Sequence, residues 1–140
     1  FVQDNISHSH RGVLRGMHFQ QEPYAQGKFV TCLSGKIYDV VVDIRPSSPN
    51  FLKWDGFSLS QENGYRLYVP PGFAHGFLVL SNSATFAYKV DNYYSADHDR
   101  GIIFDDQELA IDWKLSSKQI LISDKDKCHP TLSKSQDLFK

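Results

Sequence analysis

Cysteine is scarce in this sequence of 140 residues, which contains only Cys32, inside an apolar run, and Cys128, in a polar stretch near the C-terminus. The two lie far apart, and no CxxC spacing occurs. A disulfide framework needs at least four cysteines, and a thiolate metal centre needs closely spaced pairs. The sequence therefore predicts neither a disulfide scaffold nor a cysteine-based metal site.

An excess of one charge sign and a long apolar run are also missing. Fifteen basic residues face sixteen acidic ones, which gives a net charge of −1. No apolar stretch approaches the roughly 20 residues that a membrane-spanning helix needs. We therefore expect no nucleic-acid partner and no membrane partner, and any anionic partner should be small.

The composition fits a packed protein, since 41% of the residues are hydrophobic and 14% are aromatic. A chain of this length is expected to form one domain over residues 1–140. It begins with Phe1 rather than Met, in residues typical of a strand. We therefore expect that an N-terminal segment is missing.

Short strands account for most of the pattern. Residues 28–45 are rich in β-branched residues and are interrupted at Ser34 and Gly35, which predicts a hairpin. Further strands are predicted at residues 57–59, 65–69, 76–80 and 85–91. Their spacing of about ten residues favours an all-β sandwich or barrel. Helices are predicted only as short elements, at residues 106–111 and 133–138.

The second half of the predicted hairpin has two distinct faces. One face is apolar and predicts a core surface, while the opposite face is partly polar and includes Asp39 and Asp43. The apolar face consists of Tyr38, Val40, Val42 and Ile44.

Residues 64–75 resemble the second cupin motif, because a glycine is followed after five residues by Pro70, then by Gly72 and His75. Pro70 and Gly72 are suited to end a strand in a sharp turn. His75 is then expected to open the next strand and to point into the mouth of a barrel. The closing asparagine of the motif is replaced by Val79.

A metal centre is not predicted. The pair His8 and His10 superficially matches the first ligands of metal-binding cupins, but Val13 and Leu14 occupy the places of the expected glutamate. A site of three or four ligands cannot be assembled without that carboxylate. We expect His8 and His10 to lie in a solvent-exposed loop.

A cluster of basic residues is more informative. Residues 12–20 and 24–28 bring Arg15, His18 and Lys28 close together around single glycines. Such a cluster suits an anionic substrate that forms an enolate. Histidine is the side chain best suited to act as a base near neutral pH.

Several ordered blocks resemble the dTDP-4-dehydrorhamnose 3,5-epimerase family over nearly the whole chain. They are residues 3–5, 12–20, 26–28, 39–45, 70–80, 88–89, 92–94, 99–101 and 123–126. The resemblance implies a cupin-like jelly roll with minor helices. It also implies epimerisation at C3 and C5 of a dTDP-linked 6-deoxy-4-keto hexose without a cofactor, in a homodimer. The type of substrate predicts a cytoplasmic location.

The same resemblance implies roles for individual residues. His18 corresponds to the base, Asp126 to the carboxylate that orients it, Lys28 to the group at the ketone oxygen, and Tyr88 to the acid on the opposite face. Arg15 corresponds to a diphosphate contact. Further positions around the substrate are Gln3, Asp4, Asn5, His75, Lys125 and Asp99, the last in place of what can be a longer acid.

Other interpretations remain open at this point. Taken singly, His18, Lys28 and Tyr88 could be a hydrogen-bonded core histidine, a strand-edge lysine and a core aromatic. The chain could also be an epimerase of C3 or C5 alone, a metal-dependent cupin, or a sugar-binding module without catalysis.

Overall fold

The computed structural model describes residues 1–135, which form ten strands, one short α-helix and three 3-10 helices. The strands are β1 (Gln3–His10), β2 (Val13–Gln20), β3 (Lys28–Ser34), β4 (Lys36–Asp43), β5 (Trp54–Ser60), β6 (Arg66–Val69), β7 (Phe73–Val79), β8 (Ser83–Val90), β9 (Asp99–Gly101) and β10 (Leu121–Ile122). The helix α1 is Asp124–Lys127, and the 3-10 helices are Ala96–His98, Ser117–Gln119 and Leu132–Lys134.

The strands form two sheets. The first has the order β1-β8-β3-β6, and the second has the order β10-β2-β7-β4-β5, with β9 paired to β2. All pairs are antiparallel except that of β10 with β2, which is parallel. The prediction of an all-β, cupin-like jelly roll is confirmed.

Two apolar clusters hold the layers together. One lies between the sheets, because it combines residues of the first sheet, such as Val30 and Phe86, with residues of the second, such as Ile37 and Phe77. The other covers the outer face of the second sheet with the C-terminal segment. It includes the whole predicted apolar face, which is formed by residues of β4 and by Ile44 just beyond it, together with Ile102, Leu109, Trp113 and Leu132.

The predicted hairpin over residues 28–45 is wrong, although both of its strands exist. β3 belongs to the first sheet and β4 to the second, so the two do not pair. The chain changes sheets at Gly35, which has a φ of 77°. A sandwich connection and a hairpin turn share the same glycine signal, and only the partner strands distinguish them.

The helix expected at residues 106–111 is also absent. The Asp106 carboxylate accepts hydrogen bonds from the backbone N–H groups of Glu108 and Leu109, and from that of Leu132. Ala110 then takes a positive φ of 50°, which ends the turn. Of the predicted helix at residues 133–138, Ser133 and Lys134 fall in a 3-10 helix, and residues 136–138 lie outside the described residues.

The other four predicted strands are confirmed within a few residues as β5, β6, β7 and β8. His8 and His10 are exposed as expected, but they belong to β1 rather than to a loop. His8 Nδ1 is hydrogen bonded to Thr85 Oγ1 at 2.9 Å. Within residues 1–135, no helix is long and apolar enough to cross a membrane.

Candidate active site

A cavity of about 290 Å³ opens between the two sheets. Six of the residues singled out from the sequence line it, and they come from both walls. Asn5 on β1, Lys28 on β3 and Tyr88 on β8 belong to the first sheet, and Arg15 and His18 on β2 and His75 on β7 belong to the second.

A β-bulge lets Arg15 and His18 share this cavity. Side chains three positions apart point to opposite faces of a regular strand. The pairing of β2 with β7 changes register between Arg15 and His18, because β2 has one extra residue there. This bulge turns both side chains to the same face of the sheet. Gly16, with a φ of 142°, lies inside this bulge, and a Cβ there would stand 2.6 Å from the Gly76 Cα.

His18 is backed by a buried carboxylate. Its Nε2 lies 2.6 Å from Asp126 Oδ1, and the other carboxylate oxygen accepts the Gly16 N–H at 3.2 Å. Burial works to raise the pKa of Asp126, but hydrogen bonds from His129, His18 and the Gly16 N–H hold it well below the usual range for a carboxyl group. Asp126 therefore stays ionised and can orient the ring that it accepts from.

Lys28 and Tyr88 face the pair from the first sheet. The Lys28 Nζ lies 5.9 Å from the centre of the Tyr88 ring. Burial lowers the pKa of the Lys28 amino group, partly offset by the charges of Asp39 and Asp99. Burial raises the pKa of the Tyr88 phenol, so its hydroxyl keeps its proton near neutral pH and remains available as a donor.

A second histidine and carboxylate pair lies deeper in the same wall. His75 is opposite His18 in the pairing of β2 with β7, and its Nε2 lies 2.9 Å from both carboxylate oxygens of Asp39. Both side chains are buried. His75 lines the cavity as expected, but it is the third residue of β7, which begins at Phe73, rather than the residue that opens the strand. The sequence places Asp39 on a polar face and in a family-like block but indicates no role for it, because its partner is distant in sequence.

The remaining predicted residues lie at the edges of the cavity or outside it. Gln3 is exposed and donates to Asn5 Oδ1, whereas Asp4 pairs with Lys89 at 2.8 Å, also in an exposed position. Asp99 accepts from Lys125 Nζ at 2.8 Å. This ion pair lines a neighbouring cleft of about 500 Å³, together with His129.

His129 is a site residue that was not predicted. Its Nε2 lies 3.0 Å from Asp126 Oδ1, the oxygen that also accepts from His18. Potential ligand atoms of these three side chains lie within 4.8 Å of one another. Hydrogen bonding accounts for this closeness, so we interpret the group as a hydrogen-bonded network. The sequence signal for this contact is that His129 follows Asp126 by three residues, a spacing at which side chains in a helical turn are neighbours.

Movement of a proton to and from carbon is the chemistry that a carboxylate-backed histidine, a phenol and a cation can share in one cavity. With the two-sheet fold, they define the chain as a jelly-roll isomerase. A model of the dTDP-4-dehydrorhamnose 3,5-epimerase family matches residues 1–134. The chain belongs to this family.

Known relatives agree with that assignment. The dTDP-4-dehydrorhamnose 3,5-epimerase of Shigella flexneri is 56% identical over 126 residues, which cover 90% of this chain and 68% of the relative. A crystal structure of the enzyme from Elizabethkingia anophelis superposes with a TM-score of 0.94 at 49% identity, covering 95% of this chain and 73% of that one. The dTDP-6-deoxy-D-glucose-3,5-epimerase of Legionella pneumophila, solved in complex with dTDP-4-keto-L-rhamnose, has a TM-score of 0.91 at 49% identity, covering 95% and 70%.

Proposed function

We propose that the protein epimerises C3 and C5 of a dTDP-linked 6-deoxy-4-keto hexose, converting dTDP-4-dehydro-6-deoxyglucose into dTDP-4-dehydrorhamnose. The observation that carries the proposal is one cavity with His18, backed by Asp126, on one wall and Tyr88 on the other. Family membership supports the substrate class. The cytoplasmic location stays a prediction that rests on substrate type.

The base in this mechanism is His18. Its Nε2–H donates to Asp126, so the lone pair needed for proton abstraction lies on Nδ1. Hydrogens on C3 and C5 are acidic because both carbons flank the C4 ketone. His18 removes one of them, and the electron pair moves onto the ketone oxygen as an enolate. Asp126 stabilises the imidazolium that forms.

The enolate oxygen requires a fixed positive group or donor, which often supplies the largest catalytic contribution. Lys28 is assigned this role, because it is a cationic residue that lines the cavity. Tyr88 then donates its phenolic proton to the opposite face of the same carbon. His18 then releases the abstracted proton to solvent and the Tyr88 phenolate takes up a proton from solvent, so both groups return to their starting protonation states and no electrons are gained or lost.

Arg15 is the proposed diphosphate contact. It lines the same cavity, and a guanidinium can bind two phosphate oxygens at once. Gln3, Asp4, Asn5, His75, Asp99 and Lys125 remain the proposed substrate-binding positions.

Deuterium incorporation from solvent tests which carbons are epimerised and whether His18 and Tyr88 act on opposite faces of the sugar. In D₂O, the wild-type protein is expected to introduce deuterium at both C3 and C5 of the product, read by NMR and mass spectrometry. The Tyr88→Phe variant should form product about 10² to 10³ times more slowly. It should still exchange deuterium into recovered substrate, because His18 can return a proton to the face from which it took one.

The control for this variant is Tyr65→Phe, since Tyr65 is exposed and lies outside the cavity. Labelling at one carbon only would identify a single-centre epimerase. An absence of labelling at both carbons with the wild-type protein would contradict epimerisation. Unchanged product formation by Tyr88→Phe would remove Tyr88 from the role of acid.

The protein is further proposed to form a homodimer through the outer face of the first sheet. This face carries exposed apolar side chains, including Ile6, Leu33 and Tyr68, with exposed fractions of 70%, 48% and 51%. Phe29, Thr31 and Leu33 also line a shallow groove of about 280 Å³ there. A second copy related by a twofold axis would present the same apolar face to it.

Leu33→Asp is expected to weaken dimerisation by a factor on the order of 100, because each copy would bury a carboxylate at the interface. Sedimentation equilibrium over a range of protein concentrations measures the change. Leu121→Asp is the matched control, since Leu121 is 58% exposed on β10 of the other sheet. A wild-type protein that is monomeric at micromolar concentration would contradict the proposal.

A further inference from the structure

One carboxylate oxygen serves two imidazole rings. Asp126 Oδ1 lies 2.6 Å from His18 Nε2 and 3.0 Å from His129 Nε2. The ring centres of the two histidines are 5.4 Å apart, with an interplanar angle of 75°. Since the carboxylate is ionised, it accepts from both rings, and each ring places its proton on Nε2.

The chain makes a specific space for the second ring. His129 follows α1, and its side chain is 11% exposed. A Cβ at position 101 would lie within 2.6 Å of three atoms of the His129 ring, so the ring occupies the space that Gly101 leaves free. Gly101 is itself the β9 partner of His18. Pro130 O accepts the Ile103 N–H at 3.0 Å, which ties down the segment behind the ring.

We propose that His129 is a positioning residue that shares Asp126 with His18 and so limits how strongly the base holds the proton it abstracts. The proposal rests on the proposed function, in which His18 is the base. The Nε2–H group of His129 interacts with the Asp126 carboxylate, and the negative charge of that carboxylate also stabilises the His18 imidazolium. Epimerisation at two carbons requires His18 to abstract a proton twice for each product. A base that releases its proton readily is available for the second abstraction.

The other charged groups around the network act on both histidines. Asp99, Arg100, Lys125 and Lys134 line the cleft on the far side of His129. Arg15 and His75 line the active-site cavity on the same wall as His18, and Lys28 and Tyr88 line it on the opposite wall. A protonated His129 would add a positive charge beside His18, which again opposes its protonation. Both protonation states of His129 therefore have the same direction of effect on the base.

Two substitutions separate the hydrogen bond from the packing. His129→Phe keeps a ring in the space over Gly101 but has no donor, whereas His129→Gln keeps an N–H that can replace Nε2–H. We expect the acid limb of the kcat/KM profile to move to higher pH by about 0.5 to 1 unit in His129→Phe. In His129→Gln the limb should remain close to that of the wild type.

A merely structural role would lower activity or thermal stability without this pattern. If both variants keep the wild-type pH profile, or if both move equally, the proposal is overturned. A second readout uses the wild-type protein labelled with ¹⁵N-histidine, in which NMR should find His129 protonated on Nε2 between about pH 6 and pH 8. If His129 carried its proton on Nδ1 throughout that range, it could not donate from Nε2 to Asp126 Oδ1, and the proposal would be contradicted. This result does not depend on whether the phenylalanine variant folds.

The two proposals can fail separately. A wild-type protein without epimerase activity would overturn the proposed function, while the tautomer of His129 would still be decided by NMR. An active wild-type protein whose two variants share its pH profile would overturn only the role of His129.

Discussion

His18→Asn is expected to reduce kcat by a factor of about 10² to 10⁴, because the reaction would lose the group that abstracts the proton from carbon. Asparagine is close to imidazole in size and can keep a hydrogen bond to Asp126, so the loss should come from chemistry rather than from folding. Turnover by NMR and the melting temperature should be measured on the same preparation.

Solvent exchange distinguishes this loss from weakened binding. With the base removed, deuterium should enter neither C3 nor C5 of recovered substrate, and KM should change much less than kcat. His10→Asn is the matched control, because His10 is an exposed histidine on β1. Near-normal turnover by His18→Asn would refute the proposed mechanism.

Asp126→Asn is expected to lower kcat by a similar factor of about 10² to 10⁴. The carboxylate accepts from His18 and His129 and also from the Gly16 N–H. An amide has one acceptor oxygen and no negative charge, so it cannot stabilise the imidazolium as well. Where its NH₂ group faced His18, the ring would have to place its proton on Nδ1, and the lone pair would turn away from the substrate.

The control for this substitution is another buried carboxylate. Asp43 accepts two hydrogen bonds from the Arg45 side chain and one from Ser48, and its pKa is lowered to about 2, chiefly by the hydrogen bond from Arg45. Asp43→Asn should lower the free energy of unfolding by about 1 to 3 kcal/mol and leave kcat nearly unchanged. Equal kinetic losses in the two variants would indicate that Asp126 acts through stability alone.

Strand positions were predictable because they depend on local alternation. The apolar face of β4 was identified from its own sequence, and it packs under the C-terminal segment. The pairing of strands was not predictable, since Ser34 and Gly35 would look the same in a hairpin as in a connection between sheets. The helix expected at residues 106–111 failed because the Asp106 side chain binds the backbone N–H groups that a helix would use.

The site residues could likewise be predicted only in part, because their contacts join positions that are far apart in the sequence. Resemblance assigned roles to His18 and Asp126, which are 108 residues apart and lie 2.6 Å from each other. His129 belongs to the same network but has no role in that resemblance, and Asp39 becomes recognisable only through His75. Contacts made across the sheets are fixed by tertiary packing, which spacing in the sequence does not encode.

The bulge in β2 has a consequence for anyone who would transplant this site into another β sandwich. Copying Arg15 and His18 onto a regular strand would send one of them to the outer surface, whatever the quality of the rest of the graft. The recipient strand must carry the extra backbone step at Gly16. Its neighbour must carry a residue without a side chain at the place of Gly76, because the two backbones nearly touch there. The transferable unit is thus a pair of strands with their irregularity, rather than a set of side chains.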